Sequence, residues 1–322
     1  MQSYIIRRLL QSIPLLIGIS LISFLIMQLA PGDYLSTIRM NPDISAEMID
    51  QLEKEFGLDK SAPEQYLHWL WRALQLDFGR SFSYRVPVSF LVKTRMLNTL
   101  YLSLAAMFLA WLVAIPIGIH AATHKYQWSD HTMTVFSLLG LSIPNFFLAL
   151  LLLFSIVKFN INLPISGMTS IDYEWLTMPE KIIDILRHLL VPALVLGTSQ
   201  MAGLMRQMRG QMIDTMRQDY VTTARSKGLT ERIVVYKHVL RNALNPLITI
   251  FGFQFSILLS GAALTEIVTG WPGMGNLTLQ AVLNKDYYVV MAALMVGGFL
   301  LIIGNLLADI LLAVSDPRIR YH

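Results

Sequence analysis

Cysteine is missing from all 322 residues, which excludes a disulfide framework, a thiolate metal site and a cysteine nucleophile together. Hydrolytic motifs are missing as well. None of the seven histidines belongs to an HExxH or HxxEH arrangement, no GxSxG elbow occurs, and no GxxxxGK(S/T) loop is present to cradle a phosphate. The chain is therefore expected to be no enzyme, with no catalytic residue, no cofactor or metal site and no means of hydrolysing ATP itself. Charge is scarce: 14% of residues are charged and 54% hydrophobic, with a mean hydropathy of +0.53, whereas ordinary soluble domains carry roughly 25% charged residues. The net charge is +4 and the pI near 9.2. Such a balance suits nucleic acid, but membrane proteins gather Lys and Arg in their cytoplasmic loops, and at this hydropathy that reading comes first.

Six segments reach the roughly 20 apolar residues that a helix needs to cross a bilayer core. They run near Leu9 to Ala30, Asn98 to Ala122, Thr132 to Val157, His188 to Met205, Ala243 to Leu264 and Val289 to Val314. The expected fold is an all-α integral membrane protein with six transmembrane helices. The first segment follows Arg7 and Arg8 as in a signal peptide, but it outruns an h-region of roughly 7 to 15 residues and no small-x-small cleavage site follows, so it reads as a retained anchor. Six spans leave both termini on one side. Met1 to Arg8, Thr123 to His131, Arg206 to Asn242 and Ser315 to His322 hold 13 of the 25 Lys and Arg, while the short loops opposite hold only Lys158, Lys181, Arg187 and Lys285. This bias predicts cytoplasmic termini. Residues 1–97 then form the first span plus an extracytoplasmic helical segment, 98–314 a five-helix translocation core, and 315–322 a cytoplasmic tail.

The extracytoplasmic segment carries its own helix signals. Ser45 caps a helix with an apolar stripe at Ile49, Leu52 and Phe56 before Gly57 stops it; Ser61 and Pro63 start a second with Tyr66, Trp69, Leu70 and Leu74. Two short helices over the outer mouth serve either as a structural lid or as a docking surface. Within the spans, Gly252, Ser256 and Ser260 make a small-residue face for close packing, and Pro14, Pro116, Pro144 and Pro192 are candidate kinks. Polar residues at depth are costly without partners, which singles out Asn145, Gln200, Gln254, Asn305 and Asp309. Hydrogen bonding across the bundle is the expected use of each. No paired carboxylates or basic residues form a midplane relay such as an ion-driven carrier often shows.

One stretch looks soluble among these spans: TARSKGLTERIVVYKHVLRNALNPL, Thr223 to Leu247. Asp219 suits the cap of a short helix from Tyr220 to Lys227, Gly228 its left-handed stop, and Arg225 and Lys227 complement its dipole. Thr230 caps a second helix through Arg241 with Ile233, Tyr236, Lys237 and Leu240 on one face. From spacing alone this unit is a DNA-binding helix-turn-helix hindered by its two membrane anchors, a helix on a lipid surface, a plain connector, or a knob gripped by another protein.

The stretch resembles the EAA loop of binding-protein-dependent ABC importer permeases, in which Glu-Ala-Ala is followed by Gly and then Ile-x-Leu-Pro. Ala224 and Gly228 match the second alanine and the glycine, and Leu240 the leucine; Thr222, Thr223, His238 and Arg241 replace the Glu, first Ala, Ile and Pro. DYVTTARSKGL with HVLRNALNPLIT is similar to the version in dipeptide and oligopeptide permeases, as are APGD from Ala30, FGRS from Phe78, SIPNF from Ser142, WPGMG from Trp271, KDYYVVM from Lys285 and DPRI from Asp316. The resemblance implies a type I ABC importer permease of a bacterial or archaeal cell membrane. Its partners would be a homologous second permease, two cytoplasmic ATPase subunits that hold the ATP and Mg, an extracytoplasmic binding protein, a peptide substrate and membrane lipid, with no nucleic acid. It assigns ATPase coupling to a loop near 219–242 that includes Tyr220, Ala224, Arg225, Lys227, Gly228, Leu229, His238, Leu240, Arg241 and Asn242. A nickel or other small-solute importer on the same scaffold, an ATP-independent channel or secondary carrier, and more distantly an intramembrane enzyme are the alternatives.

Overall fold

The computed structural model describes residues 2–29, 32, 34–39, 45–248, 250–251, 254 and 263–315. The described residues are mostly helical, and among them the only β contact is an isolated bridge between Arg80 and Pro87. α1 (Gln2–Leu29) is followed by three short helices, α2 (Tyr34–Arg39), α3 (Ala46–Phe56) and α4 (Ala62–Ala73). α5 (Val88–Thr123), α6 (Trp128–Ser142), α7 (Asn145–Lys158) and α8 (Met178–Met216) form the next group. α9 (Asp219–Ser226), α10 (Glu231–Ile233), a π-helical turn at Val234–Val239 and α11 (Leu240–Ala243) follow. α12 (Ala263–Val268), α13 (Met274–Leu283) and α14 (Tyr287–Ser315) complete the order.

Among the described residues four helices are long and apolar enough to cross a bilayer: Ile5–Leu29, Val88–Thr123, Met178–Met216 and Tyr287–Leu307. A fifth crossing arises if α6 and α7 count together, and at the expected kink of Pro144 the stretch Thr132 to Val157 is broken into two helices whose axes meet at 98°. Ile143 is extended (φ −87°, ψ 120°) ahead of Pro144, as the proline ring demands of its predecessor. Pro14, Pro116 and Pro192, the other expected kinks, all lie inside continuous helices. Half of the expected fifth span, Ala243 to Leu264, lies outside the described residues, as do Gly252, Ser256, Ser260 and the tail beyond Ser315. The remaining helices outrun their apolar stretches. α5 begins ten residues before Asn98, so the division at residue 97 cuts through a helix, and the 39 residues of α8 extend about 58 Å at 1.5 Å each.

The bundle is built on α5 against α8, and small residues make the approach possible. A Cβ on Gly118 would lie 2.7 Å from Met208 Cβ, and one on Gly197 would lie 3.1 Å from the Ala106 carbonyl. The short helices follow their local signals. Ser45 Oγ accepts from Met48 N, Gly57 ends α3 at φ +65°, and Ser61 forms a capping box with Glu64. α4 buries Tyr66, Trp69 and Ala73 against Phe24 of α1 and Met291 of α14, while Leu74, expected on that stripe, is exposed.

Candidate coupling site

α8 carries the chain out of the bundle and hands it to the soluble-looking stretch. Gln218, not Asp219, occupies the N-cap of α9, leaving Asp219 in the first turn where its charge still suits the helix dipole. Gly228 has φ +77°, the left-handed stop that the sequence calls for, and no atom lies within 4 Å of where its Cβ would be. Thr230 starts the second helix, which does not remain α-helical. After Ile233 it widens into a π turn, and that extra width changes the buried face: Val234, Val235, Val239 and Ala243 are buried, whereas Ile233, Tyr236 and Lys237 face outward. Of the expected face only Leu240 packs inward.

These valines, with Val221 and Ala224 of α9, join Met208 and Met212 of α8 and Ile119 and Ala122 of α5 in one apolar cluster. The unit is thus a knob seated on the ends of two long helices. Tyr220, Arg225, Lys227, Gly228, Leu229, Arg241 and Asn242 are exposed on it, and His238 is half-buried. Arg225 does more than complement a dipole. Its Nε and one terminal nitrogen donate to the two oxygens of Glu231 at 3.1 and 2.7 Å, closing the turn over Lys227–Thr230. Each charge stabilises the other, so the arginine holds the Glu231 carboxyl below its usual range and is itself raised. Asn242 Nδ2 donates to the Tyr220 hydroxyl at 2.8 Å, tying the knob's two ends.

The polar residues at depth behave differently from expectation. Gln200 donates only to Leu196 O of its own helix, at 3.4 Å, and Gln200 Oε1, Gln254 Oε1 and Asn305 Oδ1 accept from no described residue. Asn145 is half-buried in the first turn of α7. Asp309 lies 3.6 Å from Arg8, joining the last helix to the first.

Three buried carboxylates escaped the sequence reading because their partners are far away in the chain. Asp130, whose side chain is 2% exposed, receives Arg209 Nε and a terminal nitrogen, both at 2.7 Å, and Tyr126 N at 3.0 Å. Glu266 accepts from Asn276 N and Thr99 Oγ1, with Gly273 and Gly275 wrapped so tightly around it that no Cβ fits. Asp286 accepts from Ser81 Oγ at 2.6 Å and Ser83 N at 3.0 Å, pinning the segment before α5 to the start of α14. Burial pushes both the Glu266 and the Asp286 carboxyl upward, only partly offset by these donors. The one available signal was their place beside WPGMG and within KDYYVVM.

Comparison with known proteins extends over the whole chain. Residues 1–105 match the family described as "Binding-prot-dependent transport system membrane comp, N-term", and residues 114–321 match "Binding-protein-dependent transport system inner membrane component". The oligopeptide transport system permease protein AppB of Bacillus subtilis is 43% identical, with all of both chains covered. A putative peptide permease of Brucella ovis is 40% identical over 99% of each chain. The dipeptide transport system permease protein DppB of Escherichia coli is 37% identical over 100% of this chain and 99% of its own. Among solved structures, the inward-facing MetNI methionine ABC transporter has a chain that superposes with a TM-score of 0.55 at 15% identity, covering 70% of this chain and 97% of that one, which is a likeness of fold. With several crossing helices, both family segments and full-length relatives in agreement, the chain is a multi-pass membrane protein belonging to the inner membrane components of binding-protein-dependent transport systems.

Proposed function

We propose that the chain is a transmembrane pathway subunit of an ATP-driven ABC importer of peptides, working with a homologous permease, two cytoplasmic ATPase subunits and an extracytoplasmic binding protein. The peptide assignment is supported by relatives named as oligopeptide and dipeptide permeases. The observation that carries the mechanism is the knob: a helix, a glycine turn and a helix, buried on one face against α5 and α8 and exposed on the other. Tyr220, Leu229, Ile233 and Tyr236 give that outer face apolar contact area amid charge. ATPase subunits holding ATP and Mg grip this face, and their closure displaces the knob. Val221, Val234 and Val239 share one apolar cluster with Met208 and Met212, so the displacement enters α8 through that cluster. Both termini then lie on the cytoplasmic side, as the Lys and Arg distribution requires.

The test is reconstitution of the complete transporter in proteoliposomes with a labelled peptide and the ATPases. Uptake that needs ATP, the binding protein and this chain is the expected result. Peptide flux without ATP would favour a channel or carrier, and nickel uptake in place of peptide uptake would reassign the cargo.

A further inference from the structure

Helix α4 presents three faces where a helix on a soluble domain presents two. Tyr66, Trp69 and Ala73 are buried against Phe24 of α1 and Met291 of α14. Glu64, His68 and Arg72, with Gln75 just past the helix end, recur every third or fourth residue and make a polar face. Between these two lies an apolar stripe that no described residue covers. Leu67, Trp71 and Leu74, spaced i, i+4 and i+7, are 62%, 65% and 68% exposed.

Depth decides what covers that stripe. The Tyr66 hydroxyl lies 3.0 Å from Ser20 Oγ and donates to Ile17 O at 3.3 Å, and its ring centre is 5.5 Å from that of Phe24. The apolar run of α1 ends at Leu29, so at about 1.5 Å per residue Phe24, Ser20 and Ile17 sit about 7.5, 14 and 18 Å inside that end. The last helix agrees. Its apolar run begins at Tyr287, and Met291 and Met295, which pack in the same cluster as α4, sit about 6 and 12 Å inside it. A helix held at this height against two crossing helices is sunk into the bilayer's edge and does not stand clear of it. Leu21, Ile22 and Leu25 of α1 are exposed at the same height, so the stripe adds to a belt of apolar side chains. We infer that α4 lies in the plane of the membrane, at the boundary between headgroups and acyl chains in the leaflet at the C-terminal end of α1. Leu67, Trp71 and Leu74 contact acyl chains there, and the polar face turns to water. Trp71 borders the polar face, as an interfacial anchor does. The occupant of the stripe is thus a lipid surface and not a docking protein. This requires only that α1 and α14 cross the bilayer, and it holds whatever the cargo.

The chain has no cysteine of its own, so a single introduced cysteine reports one position and the unsubstituted chain is the blank. Leu67→Cys, His68→Cys, Leu74→Cys and Gln75→Cys compare the stripe with the polar face at two neighbouring pairs. Each variant is reconstituted with its second permease and ATPases in phosphatidylcholine vesicles, without the binding protein. A membrane-impermeant maleimide, admitted to both sides by freezing and thawing, should label His68→Cys and Gln75→Cys at least tenfold faster than Leu67→Cys and Leu74→Cys. A membrane-permeant bimane attached at the two leucine positions should be quenched by phosphatidylcholine brominated on its acyl chains, and at the other two positions it should not. Labelling rates within twofold across both pairs would overturn the inference. Slow labelling of the leucine positions without quenching would overturn it too, and would place the second permease on the stripe. Protection of those positions that appears only on adding the binding protein would give the stripe to that protein instead. All four positions are exposed, and the two pairs lie two turns apart, so either pair decides if a variant of the other fails to assemble.

Discussion

Removing Arg209 should damage the protein more than removing Asp130, although both changes break the same ion pair. The Asp130 side chain is 2% exposed and Arg209 26%. In Arg209→Ala the buried carboxylate retains only the Tyr126 N–H, and an orphaned buried charge costs about 3–5 kcal/mol. In Asp130→Ala the guanidinium, already partly in solvent, can turn outward, which limits the loss to about 1–2 kcal/mol, near the value of a charged hydrogen bond. The double variant removes the buried charge together with its partner, so it should be less destabilised than Arg209→Ala by at least about 1 kcal/mol. A double-mutant cycle on the purified complex, read as unfolding midpoints in a denaturing detergent series, measures all three. The reasoning fails if Arg209→Ala is no worse than Asp130→Ala, or if the single effects add to within about 0.5 kcal/mol as they do for independent sites. A functional consequence accompanies the structural one. Arg209 lies between Met208 and Met212, which carry the knob, so the pair ties α6 to the part of α8 that the knob moves.

Gly228→Val should insert normally yet lose ATPase co-purification: with open space around the missing Cβ, its cost is the left-handed backbone alone, about 1–2 kcal/mol, and Gly228→Ala should be milder. Full co-purification and transport by the valine variant would reduce the knob to a connector. Arg225→Glu should weaken ATPase capture more than Arg225→Ala, since it sets two carboxylates facing each other across the turn; equal capture by both would show that the Glu231 pair does not shape the knob. Gly273→Ala should collapse the yield of folded protein on size-exclusion chromatography. Its Cβ would sit 2.2 Å from Glu266 Oε1, in a fully buried carboxylate whose Oε1 accepts from Thr99 Oγ1 and whose Oε2 accepts from Asn276 N, an overpacking cost of about 1–3 kcal/mol or more. Gly57→Ala, at φ +65° in open space, is the matched control and should cost only about 1 kcal/mol.

What could be read in advance was local. Ser45, Gly57, Ser61 and Gly228 act through backbone groups within four residues, so their roles follow from residue type and position, and the structure places each where that logic predicts. Apolar runs located the crossing helices but not their ends, because α5 and α8 continue through polar residues once nucleated. Four prolines looked alike in sequence. Only Pro144 breaks its helix, and the other three are absorbed inside one. The face of the knob was misjudged because a period of 3.6 was applied to residues that wind as a π turn. The side-chain pairings of Asp130, Glu266 and Asp286 were beyond reach, since those side-chain partners sit 79, 167 and 205 positions away and single-sequence spacing carries no trace of such contacts.

The break at Pro144 sets a condition on the assembled transporter. α6 and α7, at 15 and 14 residues, reach only about 22 Å each, so neither crosses a bilayer alone, and where the two together make one crossing their junction lies within its thickness. Around a 98° corner the last carbonyls of one helix and the first amides of the next lose their ladder, and hydrocarbon offers them nothing. Acyl chains are thereby barred from the patch around Ser142–Asn145. One face of an otherwise lipid-soluble molecule is already reserved for protein or water before any second subunit arrives.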